Sequence, residues 1–199
     1  RVPVKPDSLK PVFPAAMRKV NFLLQRMVIK GSTIYGKRKF SRLFRKYLHR
    51  RINLEEIYII AQQITNMYRN DGYILSKAVV PPQKIEGGVV QINVIEGFVD
   101  RVAIQGQVRG PRRLLNEYRK MILRSRPLKS KDLERYLLLV DDLPGVSVKS
   151  VLTPSEDQPG ATHMTLILSN KAYEGNFGLD NRGTKFNGPI QINAGVSGN

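Results

Sequence analysis

The chain has 199 residues, 41% hydrophobic and 25% charged, ordinary values for a folding globular protein that set aside disordered and collagen-like classes. Its 33 Lys and Arg against 16 Asp and Glu give a net charge of +17, a surface that attracts anions such as nucleic acid, lipid head groups or an acidic client. Cysteine is absent, which excludes disulfides, thiolate metal sites and thiol nucleophiles.

The opening stretch, Arg1 to Ala16, lacks the continuous apolar segment of a signal peptide, so an exported protein would already have lost its signal. Pro3, Pro6, Pro11 and Pro14 keep it extended or irregular, because proline lacks the amide that helices and central strands need. Residues 1–19 are expected to be a linker. Nowhere does an apolar run approach the roughly 20 residues of a membrane-spanning helix.

Arg26 to Gly31 reads as a strand ending in a turn. Phe40, Leu43, Phe44, Tyr47 and Leu48 then fall at i, i+3, i+4, i+7 and i+8, and Ile57, Ile60, Ala61, Ile64, Met67 and Tyr68 follow the same period, predicting two amphipathic helices. Gly72 stands where a left-handed helix C-cap suits glycine. A short strand near Ser76 to Val80, a turn from Pro81 to Gly87, and a strand burying Val90, Ile92 and Val94 complete the unit.

The same order then returns. Arg-x-x-Ile-x-Gly recurs from Arg101 to Gly106, 75 residues after its first appearance, while the Asp71-Gly72-Tyr73 and Pro81/Gly87 landmarks return at an offset of 73 as Pro144-Gly145-Val146 and Pro154/Gly160. Leu114, Leu115, Tyr118, Met121 and Ile122, then Leu133, Tyr136, Leu137 and Val140, mark two further helices. A strand near Val148 to Leu152 follows. Met164, Leu166 and Leu168 match Val90, Ile92 and Val94 at an offset of 74, and pleat alternation makes this the register to believe, because a slip of one residue reverses the buried face. The fold class is therefore α+β: two tandem βααββ modules, residues 20–97 and 98–171, each a three-stranded sheet with helices on one face.

The tail, residues 172–199, differs. Phe177 and Leu179 alternate, Asp180-Asn181-Arg182-Gly183 reads as a turn, and Ile190, Ile192, Ala194 and Val196 alternate with polar or small residues. A transmembrane β-strand has this pattern over about 10 residues, and so does a soluble hairpin with one wet face. Ending after such a strand suggests a chain cut from a longer protein.

Residues for catalysis are missing from this pattern. His49 and His163 are the two imidazoles, there is no metal-ligand spacing, phosphate loop or nucleophile elbow, and the adjacent carboxylates Glu55-Glu56 and Asp141-Asp142 point to different sides of a helix. No enzyme, metal or cofactor is expected, and no small-molecule substrate. Basic residues gather on and around the first helix of each module, among them Arg38, Arg42 and Arg45, then Arg109, Arg112, Arg113 and Arg119. A solvated helix face, an anionic partner and nucleic acid are all compatible with them; stacked aromatics on a sheet or a GXXG loop, which would favour nucleic acid, are lacking. The shorter hairpin strand of each sheet is expected at an edge, where Ser76, Lys77, Val79 and Val80, then Val148, Ser150 and Leu152, could offer backbone groups to an unfolded client by strand addition.

Asp71-Gly72-Tyr73, the turn from Pro81-Pro82-Gln83 to Gly87-Gly88, and Val94-Ile95-Glu96-Gly97-Phe98-Val99 resemble the first POTRA domain of two-partner secretion transporters, outer-membrane proteins of the larger Omp85 group. Leu143-Pro144-Gly145-Val146 resembles the second such domain, and Gly178 to Gly188 the first barrel strand and turn. The resemblance covers about residues 20–199. It implies periplasmic modules that bind a secreted partner protein in unfolded form and pass it through a lipid-embedded barrel without ATP, with no nucleic acid involved. The family's Arg-Gly motif lies in a barrel loop beyond this chain, so Val108-Arg109-Gly110 is not that motif, and no N-terminal plug helix is legible. A sibling that inserts barrel proteins, usually with more modules, and a soluble basic nucleic-acid-binding protein are the rival readings.

Overall fold

The computed structural model describes residues 21–106, 112–143 and 146–170, together with the backbone course of 173–180 and 191–198. The proline-rich opening, Arg109, Gly145 and the turn after Asp180 lie outside the described residues. The chain divides into two compact units, residues 1–96 and 97–199.

The first unit contains β1 (Asn21–Leu23), β2 (Arg26–Lys30), α1 (Lys37–Phe44), a 3-10 turn (Arg45–Tyr47), β3 (Arg51–Asn53), α2 (Leu54–Asn70), β4 (Lys77–Val79) and β5 (Val89–Ile95). Its sheet has the order β2-β5-β4, with β5 parallel to β2 and antiparallel to β4. The period-2 alternation of β5 buries Val90, Ile92 and Val94 against the α2 stripe of Ile57, Ile60, Ala61, Ile64 and Tyr68. Burying a large aliphatic side chain is worth roughly 1.5–3 kcal/mol, so this layer supplies most of the unit's stability. α2 opens on a capping box in which Asn53 accepts from the Glu56 amide and Glu56 from the Asn53 amide. It closes just before Gly72, whose φ is +90° as a left-handed cap requires.

The first helix is shorter than its periodicity predicts. It ends at Phe44, Tyr47 falls in the 3-10 turn, and Leu48 is already extended. The cause is an unforeseen ribbon: β3 pairs antiparallel with β1, the His49 amide donates to the Leu24 carbonyl at 2.7 Å, and the Leu24 amide donates to the Arg50 carbonyl at 3.0 Å. His49 takes φ +60° to make that reversal, while Tyr47 and Leu48 still pack on the core.

The second unit repeats the order with β6 (Phe98–Gln105), α3 (Arg112–Arg124), α4 (Ser130–Asp141), β7 (Val146–Pro154) and β8 (Ala161–Asn170), arranged β6-β8-β7. Met164, Leu166 and Leu168 are buried, so the offset of 74 is the structural register. The α3 stripe is narrower than expected: Leu115 and Ile122 are buried but Met121 is exposed. β9 (Tyr173–Asp180) and β10 (Gln191–Gly198) pair antiparallel, with Asp180 opposite Gln191.

The repeated Arg-x-x-Ile-x-Gly now has a physical meaning. Gly31 and Gly106 end β2 and β6 at φ +84° and +98°, and a Cβ on them would sit 2.2 Å from the Val94 carbonyl oxygen and 2.1 Å from that of Leu168. Each glycine lets the strand turn away against the backbone of the central strand. Gly31→Ala or Gly106→Ala is expected to lower unfolding free energy by more than about 2 kcal/mol in urea titrations. Gly36→Ala, with open space around it, should lower it by less than about 1 kcal/mol.

Candidate peptide-binding edges and groove

Both hairpin strands named from the sequence lie at sheet edges, but their edges are unequal. Lys77 and Val79 belong to β4; Ser76 precedes it, fully buried, its amide donating to the Tyr73 carbonyl at 3.1 Å, and Val80 follows it. The Ala78 amide turns away from β5 and donates to Thr65 Oγ1 on α2 at 2.9 Å. Amides alternate in direction along a strand, so those of Lys77 and Val79 point inward to β5. The helix thus closes most of this edge.

β7 is nine residues long and is closed in the same way at its start. The Val146 amide donates to the Leu143 carbonyl at 3.1 Å and the Val148 amide to Asp141 Oδ1 at 3.2 Å. Ala78 stands opposite Val94 and Val148 opposite Leu168, equivalent places in the repeat, so each module's second helix lends an acceptor to the same outward amide. Beyond it the amides of Ser150 and Leu152 point outward, and among the described residues nothing pairs with them.

Sequence reasoning missed the other edge, β2. Its Arg26 amide donates inward to the Gly88 carbonyl at 3.2 Å, so alternation turns the backbone groups of Met27 and Ile29 outward. Beside that edge runs a groove of about 580 Å³ between β2 and α1. Met27, Ile29, Phe40 and Phe44 give it an apolar floor, and Lys37 and Ser41 line its helical side. The available signal was the edge position expected for the hairpin strand: with β4 at one edge and β5 paired to it, a three-stranded sheet leaves β2 at the other edge.

The loop closing one end of the groove is fixed by a polar network. Glu96 accepts from the Thr33 amide at 2.8 Å, the Ile34 amide at 3.2 Å, Thr33 Oγ1 at 2.5 Å and Tyr68 Oη at 2.7 Å. Burial alone would raise its pKa, but these donors outweigh burial and hold the carboxyl below its ordinary value. Tyr35 donates to Asp71, and Lys39 pairs with Asp71 at 2.9 Å while lying 4.0 Å from the Tyr35 ring centre. Burial, followed by the Asp71 contact, pushes the Tyr35 hydroxyl up; Tyr68 is raised chiefly by burial, against a lowering hydrogen bond with Ser32.

Arg38, Arg42, Arg45, Arg112 and Arg113 are exposed and Arg119 is half-exposed. Among the described residues none of the six is within ion-pair distance of a carboxylate, whereas Lys39 pairs with Asp71 and Lys120 with Glu117. Of the adjacent carboxylates, Glu56 caps α2 and Asp141 holds β7. His163 meets Asp100 at 2.9 Å, and among the described residues no three His, Asp or Glu side chains converge as a metal site would need.

Residues 22–97 match the POTRA domain family of the ShlB type. The heme/hemopexin transporter protein HuxB of Haemophilus influenzae is 26% identical over 162 residues, 81% of this chain and 29% of that protein. The outer membrane transporter CdiB of Dickeya dadantii is 27% identical over 99% of this chain and 33% of its own length. The solved structure of CdiB from Escherichia coli superposes with a TM-score of 0.73 at 26% identity, covering 96% of this chain and 35% of that one. The chain therefore spans about a third of the length of these relatives, which are transporters, and the outer-membrane location expected from the sequence agrees with them.

Because the folded pKa of Glu96 is depressed, its stabilising contribution is present above the unfolded carboxylate value and is lost as pH falls through the folded one. Glu96→Gln is expected to lower stability at neutral pH by about 1–2 kcal/mol, and the gap from the parent protein should narrow as pH falls below the ordinary carboxylate range and through the depressed folded value, when denaturation midpoints are compared.

Proposed function

From the match of residues 22–97 to the POTRA domain family of the ShlB type we propose that this chain is the periplasmic client-receiving part of an outer-membrane transporter that secretes one partner protein. Its relatives' names and the fold shared with CdiB support that reading. The β9–β10 hairpin is then the start of the lipid-embedded barrel. The modules bind and orient; they do no chemistry on the client.

The observation that carries the proposal is the outer edge of β2, which no strand covers among the described residues, above an apolar groove, with a second such stretch at Ser150 and Leu152 on β7. An unfolded segment laid along either edge extends the sheet by backbone hydrogen bonds, which tolerate sequence, while alternate side chains enter the groove and add affinity. A client held this way stays extended, the form in which it can thread a barrel. β4 contributes less, because α2 already occupies its outward amide.

The complete protein is expected in the outer-membrane fraction with heat-dependent gel mobility, as a closed barrel resists mild detergent; a soluble complete protein would overturn the transporter reading. Ile29→Pro and Ser150→Pro each remove an outward amide that a client would use. Each should cut release of the partner into the medium severalfold at unchanged transporter level, on the order of the 0.5–1.5 kcal/mol per hydrogen bond lost. Full release from the double variant would sink strand addition. Val79→Pro should instead destabilise the first unit, since its amide serves β5.

A further inference from the structure

The chemistry of the segment that fits β2 can be taken further, on the strand-addition reading just given. Side chains alternate along β2: Met27 is buried and Ile29 is half-buried on the core side, while Arg26 and Lys30 are exposed, with Val28 between them. A strand added beside β2 has the same alternation, so its residues on one side meet Met27, Ile29, Phe40 and Phe44, and those on the other meet Arg26 and Lys30. None of the twelve residues lining the groove is acidic, and no Asp or Glu occurs between Asp7 and Glu55, a stretch that contains β2, α1 and both of their connections. On α1, Lys37 lines the groove and Arg38, about 100° round the helix, continues the basic surface beyond it. Lys84 and Glu86 share a shallow depression with Val28, so the centre of the open side is close to neutral and the charge lies at its two ends.

We propose that β2 and its groove select an extended client segment in which apolar residues alternate with acidic ones, the apolar set entering the groove and the acidic set meeting Arg26 and Lys30. Backbone pairing supplies affinity for any strand. The two cations supply the preference, through cross-strand contacts that favour opposite charge and penalise like charge.

The test uses the 199-residue chain and three labelled peptides of equal length, alternating Val with Glu, Val with Gln or Val with Lys, read by fluorescence anisotropy. The Val/Glu peptide is expected to bind about threefold or more tighter than Val/Gln at low salt, with Val/Lys weakest, and the margin should shrink at high salt. The exposed-site double variant Arg26→Gln, Lys30→Gln should lose the margin yet keep the Val/Gln affinity and the parent melting temperature. Equal binding of Val/Glu and Val/Gln, abolished for both by Ile29→Pro, would leave strand addition standing and overturn charge selection. Binding of no peptide would overturn strand addition at β2 and the selection with it. Vesicles of phosphatidylglycerol in phosphatidylcholine provide the last arm: if the double variant loses vesicle binding while the peptide margin is unchanged, these cations serve a membrane surface and the inference fails.

Discussion

In each module the last strand runs through the middle of its sheet, and the other elements are arranged around that placement. β5 and β8 carry the most regular apolar alternation, and each is flanked on both sides by backbone partners. In both modules this last strand runs parallel to the first strand, and such a pair needs a crossover, which the two helices and the hairpin strand provide. It also leaves the first and second strands as edges. Gly31 and Gly106 belong to the same constraint, since they let the first strand leave the sheet directly against a carbonyl of the central one.

Much of this was legible in the sequence because it is periodic. The alternation at Val90, Ile92 and Val94, and again at Met164, Leu166 and Leu168, identified the last strand of each module and corrected the repeat register against the competing Pro-Gly landmarks. The family resemblance rested on motifs that the structure gives physical roles. Glu96 anchors the loop over the groove, and Gln83 pairs with the amide and carbonyl of Gln91 at 2.8 Å, standing in for the missing length of β4. What was not legible is non-local. Nothing in the stripe from Phe40 to Leu48 announces that β1 will capture β3 and cut the helix at Phe44, because that pairing is decided by tertiary contacts that outweigh propensity. Nor does a strand pattern reveal which amides face outward: Val79 and Val148 look alike in sequence, yet one amide serves β5 and the other serves Asp141.

The polar side chains divide by sign. Acidic residues are few and several are committed to structure: Glu56 to a helix cap, Glu96 and Asp71 to the loop network, Asp141 to the β7 amide, Asp100 to His163. Basic residues are in excess and many point to solvent. The net charge is therefore no diffuse property of the chain. Several carboxylates are drawn into internal contacts, and the exposed side chains, which include Glu86, Glu117 and Glu134, keep an excess of arginine and lysine available to anions.

An open strand edge is a hazard as well as a site, since it can pair with a second copy of itself and begin aggregation. β2 manages that hazard with the residues that give it selectivity. A second β2 brought alongside in antiparallel pairing centred on Val28 would set Arg26 against the copy's Lys30, and in parallel pairing Arg26 against Arg26, so like charges meet in either arrangement. The free part of β7, Ser150 to Leu152, lacks such a pair between its outward positions, but Pro154 stops the ladder two residues on, because it has no amide to donate. Each edge is thus open over a few residues and closed to unlimited growth, β2 by charge and β7 by a helix-borne acceptor at one end and proline at the other. That combination lets a surface take up one extended chain at a time without becoming a template for its own copies.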